Sequence, residues 1–144
     1  CKAVRIPLLL LVTCLATPLG AFAKECAREE AMAAEDIAAR LPDWKQIHGA
    51  FERFAHCDDG AIAEGFTESV VHLLATRWET LPQVASFESK NAAFRNFVLR
   101  HINDTADTSE LKRIARLART QCPKGHSALC SAISQAANGG THAP

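Results

Sequence analysis

The stretch that decides the fold is Cys57–Trp78, CDDGAIAEGFTESVVHLLATRW. Ile62, Phe66, Val70 and Leu74 recur every four residues, with Leu73 and Trp78 close by. That spacing lines the large apolar groups along one side of a helix. Asp58 and Asp59 stand just before it, where short carboxylates accept bonds from free backbone N–H groups and suit the helix's positive end. Thr80-Leu81-Pro82 ends this helix and begins a short one near 82–88.

Upstream, residues 25–40 are rich in Ala and Glu, which favours helix by propensity alone. Leu41-Pro42-Asp43 interrupts, and a second helix over 43–56 follows, with Trp44, Ile47, Phe51 and Phe54 on one face. Downstream, Phe94, Phe97, Val98 and Ile102 mark a helix near 90–102, and Asn103–Asp107 is a polar loop. Asp107 with Glu110 three residues later resembles a capping box for a helix over 108–121, with Leu111, Ile114, Leu117 and Ala118 as its apolar line. Cys122-Pro123-Lys124-Gly125 stops it, and a last helix runs over 127–137. There is no Tyr and no sustained period-two alternation, so strands are not expected. The expected fold is all-α, a compact bundle of five to seven short helices stapled by disulfides. It is expected as one domain over 24–138, with a flexible tail at 139–144.

Residues 1–23 read as a secretory leader. Lys2 and Arg5 supply a positive start and Ile6–Ala16 an apolar run. Pro18 and Gly20 break that run before the small-x-small site Ala21-Phe22-Ala23. Cleavage is expected before Lys24, giving an exported protein, periplasmic or secreted, with no stable membrane insertion after the leader is removed. The apolar run is about half the roughly 20 residues that a bilayer span needs. An alternative cut at Leu11-Val12-Thr13-Cys14 would leave a lipidated Cys14, although Thr13 departs from the small residue expected there.

Removing the leader leaves four cysteines, Cys26, Cys57, Cys122 and Cys130. An even count in an exported chain reads as two disulfides. Cys26 opens the first helix and Cys57 closes the second, ends that meet in an antiparallel hairpin. Cys122 and Cys130 flank a tight turn. The expected pairs are therefore Cys26–Cys57 and Cys122–Cys130. No Cys-x-x-Cys redox motif is present, and Cys122, His126 and Cys130 lack a zinc knuckle's close spacing. Neither a metal site nor a cofactor is expected.

The whole chain has 16 basic and 16 acidic residues, which removes any bulk electrostatic drive toward nucleic acid or an anionic membrane. The charges are nevertheless segregated. Residues 58–79 hold five acids and one base, whereas 90–124 hold eight bases and three acids. Glu64 and Glu68 sit one turn apart, and Lys112, Arg116 and Arg119 form a stripe opposite Leu111, Ile114 and Ala118. A solvated face explains such runs, and a docking surface for a protein partner is the functional alternative. The candidate binding residues are Asp58, Asp59, Glu64, Glu68, Lys112, Arg116 and Arg119. Adjacent His56 and Cys57 do not converge as a catalytic pair must, and Glu64 and Glu68 on one face do not flank a substrate.

The cysteine opening a long helix of small and acidic residues over Cys57–Trp78, with a later cysteine at a helix end near Cys122, resembles the exported all-helical immunity proteins of type VI secretion amidase toxins. The resemblance implies a binding protein that plugs a partner enzyme's cleft, often as a dimer. The leading functional expectation is thus an exported binding protein, an inhibitor or immunity factor, and not an enzyme. Two alternatives remain open: an envelope structural or stress protein, and an enzyme whose carboxylate and histidine site is assembled from distant helices.

Overall fold

In the computed structural model, which describes residues 23–140, seven α-helices and no strand are present among the described residues. Residues 1–22, which make up all but the last residue of the expected 1–23 leader and include Cys14, and the tail residues 141–144 lie outside them. Helix α1, Arg28–Ala38, carries Glu29 and Glu30 in its first turn. Glu30 reaches back to the Ala27 N–H at 3.4 Å. The residue before Pro42 leaves the helical region, so the chain turns. Asp43 then caps α2, Trp44–Phe54, by accepting from the Gln46 N–H at 2.8 Å. A 3-10 turn at Ala55–Cys57 leads into α3, Gly60–Thr76.

The two aspartates ahead of α3 divide the roles expected of both. Asp59 is the cap, accepting from the Gly60 N–H. Asp58 instead turns inward. Gly60 has φ +52°, in the left-handed region where a side chain is strained, and so lets the chain enter α3 from this corner.

A second 3-10 turn, Trp78–Thr80, runs into α4, Leu81–Glu88, with Pro82 in its first turn. Asn91 caps α5, Ala92–Arg100, and Asp107 caps α6, Thr108–Thr120. Glu110 does not return the bond that a capping box requires. The last helix, α7, covers Ser127–Gly140, three residues beyond the expected end.

Helix α3 is the axis of the bundle, with α1, α2 and α6 packed on it and α7 lying along α6. Ile62, Phe66, Val70 and Leu74 are all buried, as their spacing predicts. An aromatic ladder ties four helices together. His48 stacks on Phe87 at 4.4 Å, Phe51 meets Phe94 and Phe97, and Phe66 meets Phe97 and His101. Burying each large apolar side chain of this kind contributes roughly 1.5–3 kcal/mol.

Two close fits fix α1 on α3. A Cβ on Gly65 would stand 2.8 Å from the Ala38 Cβ and 3.0 Å from the Ala39 nitrogen, so only glycine admits this approach. Beside it the buried Ser69 hydroxyl donates to the Ala38 carbonyl at 2.6 Å and accepts from the Leu41 N–H at 3.1 Å. The backbone groups that α1 leaves open at its end are thus satisfied by a side chain of another helix. Both expected disulfides are present: Cys26–Cys57 joins the start of α1 to the end of α2, and Cys122–Cys130 spans the α6–α7 turn.

Candidate functional site

Glu64, Glu68 and His72 follow one another at intervals of four along α3, on its solvent side. Opposite them the Asn103–Asp107 loop enters α6, whose first turn carries Glu110. Between these elements and the end of α1 lies an open groove of about 590 Å³. Its polar lining is Glu64, Thr67, Glu68, Thr105, Asp107 and Glu110, over a floor that includes Ala39, Gly65 and Val71. The groove continues into a depression of about 390 Å³ bordered by Glu68 and Glu110 as well, with Arg40, Ser69 and His72.

The groove is anionic because its carboxylates are not neutralised. Glu64, Glu68 and Glu110 have no ion-pair partner among the described residues, whereas the neighbouring Arg40 is held by Asp36 at 2.8 Å. The Ser109 hydroxyl and the Glu110 N–H donate to Asp107 and hold its carboxyl below the ordinary value, so it also stays charged.

Behind the groove wall lies a buried polar chain. Asn103 Nδ2 donates to Thr67 Oγ1 at 3.3 Å, which frees the Thr67 hydroxyl proton for His101 Nδ1 at 3.1 Å. His101 Nε2 then donates to Asp58 Oδ2 at 3.1 Å, and Arg100 bonds the same oxygen. The Asp58 side chain is only 3% exposed. Burial pushes its carboxyl up, but the hydrogen bonds from His101 and Arg100 and the Arg100 charge outweigh this and hold it below the usual range. Asp58 Oδ1 is buried with no hydrogen-bond partner among the described residues.

The sequence candidates separate into three places. Glu64 and Glu68 line the groove. Asp58 stands in the polar chain, and Asp59 is exposed and spent on its cap. Lys112, Arg116 and Arg119 are exposed on the outer face of α6, outside the groove and without ion pairs among the described residues. His101, Thr67, Arg100 and Glu110 are not among the binding candidates that the sequence offers. Asp58 and His101 are 43 residues apart, and no local pattern links them. Glu110 did have a signal, an acid in a first turn, which reads equally well as capping.

No helix among the described residues is long and apolar enough to cross a membrane. No protein-family model, no curated protein and no solved structure matches this chain.

Proposed function

We propose that this is an exported binding protein, with its partner a protein that places a cationic segment in the acidic groove. An inhibitor or immunity factor acts in this way, and so the reading keeps the functional class that the sequence resemblance implies, including a dimeric state. The observation that carries it is the set of unpaired carboxylates, Glu64, Glu68 and Glu110, around one open concavity. Like charges gathered at one place cost stability and gain a use when a counter-charge arrives. The groove is open and edged by carboxylates over an apolar floor, which suits a side chain or loop better than an enclosed small molecule. Two disulfides suit an oxidising compartment, in keeping with export.

The test is titration of the full chain with a lysine-rich peptide and with its glutamate counterpart, at low and high salt. Binding of the basic peptide alone, weakened by salt and lost in E64Q/E68Q/E110Q, supports the reading. Equal binding by the triple variant overturns it.

One observation favours the enzyme alternative: hydroxyl, imidazole and carboxylate stand in the order Thr67, His101, Asp58 that acyl-transfer triads use. Thr67 is, however, only 3% exposed within α3, and Arg100 already neutralises Asp58. The chain therefore serves better as a brace for the groove wall. Turnover of a p-nitrophenyl ester that T67V abolishes would reverse this preference.

A further inference from the structure

Away from the groove, where α2 ends beside the start of α1, four ligating groups converge. A Glu30 carboxylate oxygen, a His56 ring nitrogen and Cys57 Sγ lie within 4.8 Å of one another, and Cys26 Sγ is bonded to Cys57 Sγ. Glu30 Oε2 and His56 Nε2 are already 3.0 Å apart. Bond lengths of about 2.0–2.3 Å in a tetrahedral zinc site place ligand atoms about 3.3–3.8 Å apart, which these positions reach by small shifts. Lys24 holds the other oxygen of Glu30 at 2.7 Å, the outer contact that aims a carboxylate ligand. Cys57 is buried and His56 only 15% exposed, so water competes poorly at the centre.

We propose that Cys26, Cys57, His56 and Glu30 bind one Zn²⁺ whenever the Cys26–Cys57 bond is open, and that closing this bond expels the ion. The disulfide and the metal are alternative occupants of one place. In the closed form the sulfurs are not thiolates, and only Glu30 and His56 remain, too few to hold zinc. Opening the bond takes two electrons and two protons, supplied by a dithiol or by a phosphine that takes its oxygen from water. Zn²⁺ then displaces the two thiol protons. In the reverse direction a disulfide oxidant accepts two electrons from the thiolates and the ion departs as Zn²⁺. The reduced chain would thus carry zinc before oxidation, with the metal joining the same two helix ends that the disulfide later joins.

The test uses the full chain carrying C122S/C130S, so that reduction exposes only the first pair. The phosphine-reduced protein is titrated with Zn²⁺ and with Co²⁺ as a spectroscopic stand-in. The expected result is one equivalent bound, with thiolate charge-transfer and tetrahedral cobalt bands, and none bound by the oxidised protein. H56A and E30Q should each weaken binding by at least about tenfold, the loss seen for outer contacts alone. Unchanged affinity in both variants, or no binding by the reduced chain, overturns the proposal. If reduction melts the helices, circular dichroism takes over as the readout. Zn²⁺ must then restore helicity in C122S/C130S and fail to do so when H56A is added, and failure to restore it also overturns the proposal.

Discussion

Replacing Asp58 by Asn keeps the side chain's shape and removes the charge that Arg100 and His101 face. D58N should cost about 2–3 kcal/mol in denaturant unfolding, the worth of hydrogen bonds to a charged group. Because the folded state holds the Asp58 carboxyl below its ordinary value of 3.8, its contribution is complete above that value. It is lost as pH falls through the depressed range, and D58N should flatten this acid limb. Glu30 behaves alike: bonds from Lys24 and then His56 lower it from 4.5 to about 2, so its share fades between those two values. E30Q should therefore lose less stability than the parent on acidification over that interval, as thermal scans at stepped pH would show. Neither effect was legible in the sequence, because Asp58 reads locally as a second cap and Glu30 as a helix-start acid. His101 lies 43 residues from Asp58 and His56 lies 26 from Glu30, while Lys24, six residues before Glu30, stands outside the helix and shares no pattern with it.

The helices themselves were legible: α2, α3, α5 and α6 from an apolar line at helical spacing, α1 from its Ala- and Glu-rich composition, and α4 and α7 from the breakers that precede them. What spacing does not carry is how closely two helices approach. Gly65 sits mid-helix, where alanine would ordinarily gain about 1 kcal/mol. Here the added methyl meets the Ala38 Cβ and the backbone of Ala39, so G65A should instead destabilise by about 1–3 kcal/mol. A G65A variant as stable as the parent would show that α1 and α3 pack less closely than described. That approach also shapes the groove, whose floor holds Ala39 and Gly65 and whose far side is the Asn103–Asp107 loop and the start of α6. Sequence could place the acids on one face, but not bring Glu110 across from them.

For the molecule as a whole, helix order sufficed to pair the cysteines, because helical hairpins bring opposite ends together. The two bridges differ in the loop they close, 31 residues against eight. Loop-closure entropy then gives about 4 kcal/mol for Cys26–Cys57 and about 2.5 for Cys122–Cys130. C26S/C57S should accordingly lower the denaturant midpoint further than C122S/C130S does; the opposite order would mean that the unfolded chain is already restrained near α1. The Ser69 contact bears on how the bundle assembles. The turn after α1 is completed by a hydroxyl 28 residues further on, so the corner between α1 and α2 has all its hydrogen bonds only when α3 is in place. The corner is expected to form together with α3, in which case S69A should slow refolding more than it speeds unfolding. In native-state hydrogen exchange the Leu41 amide should open together with the α3 amides, as one cooperative unit.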